Sequence, residues 1–208
     1  MMADALEIKF DEQRLKEIQR LLREIPNALP KVMSRGINRT TTSARAEIVK
    51  RIAAEITLKQ KVIKKSIRTE KATITRWMAK ILLGLAALGI KAGTHLGRKE
   101  GRVPLIYFKA SQRKKGKRKL TYQIKPGEKE SFSGKPLPFI ATMKTFRGVF
   151  RRVGKERFPV EHIYGPSVGG VFEGTAGIAA EVQQSAGEKL EKNIDQQIAF
   201  QLSRRRTA

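Results

Sequence analysis

The chain has 208 residues, 40% of them apolar, so it is long enough and apolar enough to fold around a core of its own. It contains no cysteine, which excludes a disulfide framework and thiolate chemistry and is typical of a protein made in a reducing compartment. Lys and Arg outnumber Asp and Glu by 44 to 19, and the resulting net charge of +25 predicts a polyanionic or acidic partner.

The N-terminal segment, residues 1–70, has the pattern of a short strand followed by helices. A period-2 alternation over residues 6–10 predicts the strand, and Asp11 follows as a candidate N-cap. Apolar residues at three- and four-residue steps then predict a helix that runs as far as Pro26.

A second, longer helix is predicted from Asn27, because one i+4 track of apolar residues continues to Ile56. Weak helix formers in its middle predict a kink or a close helix contact near Gly36. Thr57 is the candidate cap of a short third helix that reaches Ile67.

The middle segment, residues 71–158, holds 23 basic and four acidic residues and so carries +19 of the total charge. Runs rich in β-branched and aromatic residues, separated by Gly, Pro, Ser or Lys, predict a small antiparallel sheet with long basic loops. These runs are 73–83, 103–110, 120–124, 137–143 and 148–153. Two of these loops, residues 93–102 and 111–119, are rich in glycine and charge and are predicted to be mobile.

One stretch of this segment, residues 81–90, is wholly apolar or glycine. A membrane-spanning helix needs about 20 apolar residues, twice this length. We therefore predict no membrane span, and expect a buried element or a partner-facing insert.

The C-terminal segment, residues 159–208, is nearly neutral and predicts one long amphipathic helix. Its apolar stripe consists of Val182, Ala186, Leu190, Ile194, Ile198 and Leu202. The three segments together predict the α+β class, in one domain: N-terminal helices, a small antiparallel sheet with long basic loops, and a long C-terminal helix.

The sequence offers few residues suited to catalysis. It contains three aspartates and two histidines, far apart along the chain, and no HExxH, P-loop or GxSxG motif. His162, before a Gly-Pro turn, is predicted to be a packed or hydrogen-bonded histidine rather than a general base. We therefore predict that the chain is no enzyme and binds no cofactor or metal ion.

A dense basic run lies in the second of the two loops. It consists of Arg113, Lys114, Lys115, Lys117, Arg118 and Lys119. These residues are candidates for contacting DNA phosphates or an acidic neighbouring subunit, and the sequence does not decide between the two. A sequence-nonspecific nucleic-acid-binding protein that acts through the basic middle segment is accordingly the alternative function.

Three segments, residues 25–51, 103–108 and 139–172, resemble the phage minor tail protein Z family. The most specific of the matching stretches is GVFRRVGKERFPVEHIYGPS, at 148–167. The resemblance implies a structural subunit of the virion tail or neck, assembled in the bacterial host cytoplasm, that completes the tail or joins it to the head. Its implied partners are other tail or neck proteins. Residues 78–101 and the long last helix depart from the family pattern.

Self-association is predicted as well, because amphipathic helices can bury their stripes between the copies of a closed ring. The resemblance implies a hexameric ring around the DNA path. The candidate interface residues are Val182, Leu190, Ile194, Ile198 and Leu202.

Overall fold

The computed structural model describes residues 6–8, 12–83, 102–112, 119–133, 135–143 and 146–206. The α-helices in these ranges are α1 Glu12–Leu21, α2 Ala28–Glu55, α3 Gln60–Lys65, α4 Val168–Gly174 and α5 Ile178–Arg206. The strands are β1 Leu6–Ile8, β2 Ile67–Glu70, β3 Ala79–Leu83, β4 Arg102–Pro104, β5 Ser111–Gln112, β6 Leu120–Tyr122, β7 Glu130–Ser131, β8 Phe139–Met143, β9 Phe146–Arg152, β10 Val160–His162 and β11 Tyr164–Ser167. The α+β class, with N-terminal helices, antiparallel sheets and a long C-terminal helix, is confirmed.

The chain forms two compact units, each made from stretches that are distant in sequence. The first unit comprises residues 1–48, 67–83 and 175–208, and the second comprises 49–66 and 84–174. The first unit therefore joins the start of the chain to its end.

In the first unit, α5 packs antiparallel to the N-terminal part of α2. Residues further along α5 contact residues nearer the start of α2. Lys189 Nζ lies 2.7 Å from Glu47 Oε2, and Asn193 Nδ2 donates to Thr40 Oγ1 at 2.9 Å. The helices approach closely at Gly36, where an added Cβ would lie 2.7 Å from Ile194 Cδ1. The predicted close helix contact near Gly36 is confirmed.

The three-stranded sheet of the first unit has the order β1-β3-β2, with both pairings antiparallel. Its edge strand β2 is tied to α2 by side chains near both of its ends. Arg45 Nη2 donates to the Ile67 carbonyl at 3.2 Å. Asn38 donates to the Ala72 carbonyl at 2.9 Å and accepts from the Ala72 amide at 2.8 Å, so its amide group replaces a strand neighbour.

The second unit contains three small antiparallel sheets, with the orders β10-β9-β8, β11-β4 and β5-β6-β7. Its core includes Phe108, whose side chain is fully buried. Two backbone hydrogen bonds fix this residue: its amide donates to the Leu105 carbonyl at 3.0 Å, and its carbonyl accepts from the Gln123 amide at 2.9 Å. Gly165 of β11 lies directly against the Phe108 ring, since a Cβ added to Gly165 would lie 2.4 Å from Cε2 of that ring.

Several predicted helix ends were wrong. Helix α1 ends at Leu21 rather than at Pro26, and tight turns follow, in which the Ile25 amide donates to the Leu22 carbonyl at 3.0 Å. A proline disfavours helical geometry at the residue before it, here Ile25, so Pro26 by itself does not account for the end at Leu21. Asp11, the candidate N-cap, lies outside the described residues.

Thr57 does not cap the third helix. The N-cap position belongs to Lys59, while the Thr57 hydroxyl donates to the carbonyls of Gln123 and Ile124. Ile67, predicted as the end of that helix, begins β2. Capping needs a side-chain oxygen that accepts from the first amides of the helix, and the position from which this could happen belongs to Lys59 rather than to Thr57.

The single small sheet predicted for residues 71–158 is divided in the structure. Residues 79–83 pair in the first unit, whereas the other strands of that segment lie in the sheets of the second. Residues 105–107 form a 3-10 turn rather than a strand. The predicted loop at 111–119 starts with β5, and residues 84–101 lie outside the described part of the chain.

Candidate partner-binding surface

A charged hairpin joins β9 to β10 in the second unit. The strands pair antiparallel from Arg152 opposite Val160 to Phe150 opposite His162. The Val153 amide donates to the Pro159 carbonyl at 3.1 Å, which closes the hairpin and leaves 154–158 as its tip. Apolar side chains are exposed here: Val153 is 57% exposed and Phe158 is 60% exposed.

A pocket of about 340 Å³ opens at the base of this hairpin. Phe132, Pro136 and Pro138, from the chain that leads into β8, form its apolar wall, and Val153 lines it from the hairpin side. A volume of this size lies at the small end of the range for binding pockets and accommodates one or two side chains of a partner.

The charged lining of the pocket is mostly basic. Lys135, Arg151 and Arg152 line it together with Glu161, whose carboxylate lies 3.6 Å from the Arg151 guanidinium. The Arg152 guanidinium is held 5.9 Å from the centre of the Phe139 ring, a cation–π distance that fixes its position. The pocket therefore combines a positive rim with an apolar wall.

Behind the hairpin, His162 is enclosed by aromatic rings. Its ring centre lies 4.9 Å from that of Phe146, 5.1 Å from Phe150 and 4.3 Å from Tyr164. The Nε2 atom is buried and makes no hydrogen bond within the described structure. Gly148 makes room for the imidazole, since an added Cβ would lie 2.6 Å from Nε2. His162 is thus a packed histidine, as the sequence predicts.

Acidification should weaken the fold at His162. Burial lowers the pKa of its imidazole from the usual value of 6.5, because a charged ring is disfavoured among apolar neighbours. Below about pH 6.5 the unfolded chain takes up this proton before the folded chain does, so the free energy of unfolding falls as the pH falls. We expect His162→Phe to reduce that fall in urea denaturation measured between about pH 7 and pH 5.

The other histidine, His95, supplies the comparison for this experiment. If His95→Gln removes the acid sensitivity and His162→Phe leaves it unchanged, the assignment to His162 is wrong.

The basic run predicted from sequence is described only at its end. Lys119 is exposed, immediately before β6. The other residues of the run, Arg113, Lys114, Lys115, Lys117 and Arg118, lie outside the described residues. Contact of this run with DNA or with an acidic subunit stays a prediction.

The apolar stripe of α5 is covered by the chain itself. Val182, Leu190, Ile194 and Ile198 are buried, and Leu202 is half-buried. A second copy could reach the buried four only if the first unit opened. An interface between copies stays a prediction, and the α5 residues available to it are the exposed ones.

The described residues contain no group of three or more His, Asp or Glu side chains placed to hold a metal ion. None of the helices in these ranges is long and apolar enough to cross a membrane.

The two acidic residues near β7, Glu128 and Glu130, are both exposed. Burial and a hydrogen bond with Glu130, the cross-strand neighbour, raise the pKa of Tyr122 to about 12, as expected of a structural tyrosine.

Comparison with known proteins identifies the family. The family model for prophage minor tail protein Z matches residues 8–207. The chain belongs to the prophage minor tail protein Z family. No curated protein and no solved structure matches the chain. The minor tail protein Z match covers both compact units, including all of the hairpin and its pocket.

The pocket and the exposed tip were not among the residues singled out from the sequence. The stretch 148–167, which resembles minor tail protein Z most specifically, forms β9, the hairpin, β10 and β11. The sequence signal for an exposed tip was available, because Gly154 and the three charged residues Lys155, Glu156 and Arg157 separate two apolar runs there. The pocket wall had no such signal, since it depends on the tertiary approach of Phe132, Pro136 and Pro138 to the hairpin.

Proposed function

We propose that this minor tail protein completes the tail or joins it to the head by binding other proteins of the particle and further copies of itself. The observation that carries the proposal is the family match over residues 8–207. It is supported by the absence of a metal-binding cluster from the described residues and by a hairpin whose apolar side chains face solvent. Such a surface suits association rather than turnover.

Deletion of the gene from an inducible prophage tests this role. We expect heads and tails to form without becoming infectious particles, because each would lack the subunit that completes or connects them. Adding the purified chain to the lysate should restore plaque formation. A normal yield of infectious phage from the deletion strain would contradict the proposal.

Light scattering on the purified chain tests self-association. We expect a mass that is a multiple of the 23.4 kDa chain, since closed rings are the common outcome of repeated subunit contacts. The same preparation should leave DNA intact in the presence of Mg²⁺. A monomer that cleaves DNA would exclude the structural role.

A further inference from the structure

We infer that the β9–β10 hairpin and the pocket at its base form a docking surface for an acidic polypeptide segment that carries an apolar anchor residue. The surface is defined by Lys135, Val153, Lys155, Arg157 and Phe158, together with the pocket wall. That the segment belongs to a protein of the same particle rests on the proposed function, whereas the chemistry of the surface does not.

The first argument is charge. Across the pocket lining and the hairpin tip, five basic residues stand against two acidic ones. The basic residues are Lys135, Arg151, Arg152, Lys155 and Arg157, and all five are exposed. The acidic residues are Glu156 and Glu161. Exposed cations in this excess favour carboxylates or phosphates on the partner, and they orient the encounter.

The second argument is apolar exposure, which selects a polypeptide over a nucleic acid. Val153 and Phe158 are each more than half exposed, and Leu137, between the two pocket prolines, is 40% exposed. The two aliphatic side chains, Val153 and Leu137, gain little free energy against a phosphate backbone, whereas contact with an apolar side chain of a partner removes their surface from water. Partner segments of this type place one apolar residue in a pocket and polar residues at its rim.

The third argument is the shape of the site. The pocket holds about 340 Å³, enough for an aromatic or large aliphatic anchor. Glu161 also lines it, but its carboxylate lies 3.6 Å from Arg151, which leaves Lys135 and Arg152 to attract carboxylates of the partner. An isolated carboxylate beside an apolar anchor matches this arrangement.

Binding of three labelled polyanions to the full-length chain, followed by fluorescence anisotropy, tests the inference. The probes are a random copolymer of glutamate and tyrosine, poly-glutamate of the same length, and an oligothymidylate of matched charge. We expect the copolymer to bind most tightly, because it alone combines carboxylates with apolar anchors.

The deciding variant is Val153→Ser with Phe158→Ser, which leaves every charge in place. We expect it to weaken copolymer binding about tenfold and to leave poly-glutamate binding unchanged. Phe200→Ser is the matched control, since Phe200 is 46% exposed and has Arg204 5.9 Å over its ring, just as Arg157 lies 5.8 Å over Phe158. Lys155→Gln with Arg157→Gln should weaken the binding of both acidic polypeptides.

Each other outcome overturns the inference. Equal affinity for copolymer and poly-glutamate would show general attraction to polyanions. Tighter binding of oligothymidylate, lost in the serine variant, would make this a nucleic-acid site. If the unmodified chain does not bind the copolymer and the serine variant no longer self-associates, the docking surface binds a second copy of the chain. The deletion experiment above does not depend on any of these probes, so a failure here leaves the proposed role in assembly intact.

Discussion

Gly165→Ala should destabilise the protein by about 2–4 kcal/mol, more than a single methyl group normally costs. The new Cβ would lie 2.4 Å from Cε2 and 2.8 Å from Cδ2 of Phe108. The ring cannot retreat easily, because Phe108 is fully buried and its backbone is hydrogen-bonded on both sides. Urea denaturation followed by circular dichroism measures the change in the free energy of unfolding.

Gly154→Ala is the matched control in the same unit. No atom lies within 4 Å of the position its Cβ would take, so we expect a change of less than about 0.5 kcal/mol. If Gly165→Ala proves equally mild, the Phe108 ring has room to move and the tight approach of β11 is not a constraint on the fold.

Ile194→Ala should cost about 2–5 kcal/mol, the usual range for truncating a buried aliphatic side chain. Ile194 is 1% exposed and fills the space left by Gly36 where α5 crosses α2. The single tryptophan, Trp77, lies in the same unit, so its fluorescence reports the unfolding. Gln183→Ala, at an exposed position of α5, should change the stability by less than about 0.5 kcal/mol.

A double-mutant cycle tests the contact itself. Gly36→Ala alone brings a methyl group to 2.7 Å from Ile194 Cδ1, an atom that Ile194→Val removes. The double variant should therefore be more stable than the sum of the single effects predicts, by at least about 0.5 kcal/mol. Strict additivity would show that the two residues do not touch.

The long helices could be predicted because their periodicity extends over many turns. The stripe from Val182 to Ile198 correctly indicated a helix that must be covered. The stripe did not indicate which element covers it, since an apolar stripe can pack equally well against a helix of the same chain or a helix of another copy. In the structure α2 lies along it, with Gly36 giving the closest approach.

Short elements were harder to predict, for a physical reason. Strands β10 and β11 have three and four residues, too few for a period-2 pattern to be distinguished from chance. Helix α4 contains three glycines in seven residues, so its local preference opposes a helix. Both cases depend on tertiary packing, and so does the pocket beside the hairpin.

The hydrogen bonds of Arg45 to β2 and of Asn38 to Ala72, just after β2, bear on how copies can meet. An unprotected sheet edge invites another chain to add a strand by backbone pairing, which leads to open-ended growth. Here a partner strand would first have to displace two side chains. The Asn38 side-chain amide occupies both backbone polar groups of Ala72, and the Arg45 guanidinium occupies the Ile67 carbonyl. Assembly of a finite particle is compatible with such a guarded edge, because neighbours are then left to recognise one another through side chains.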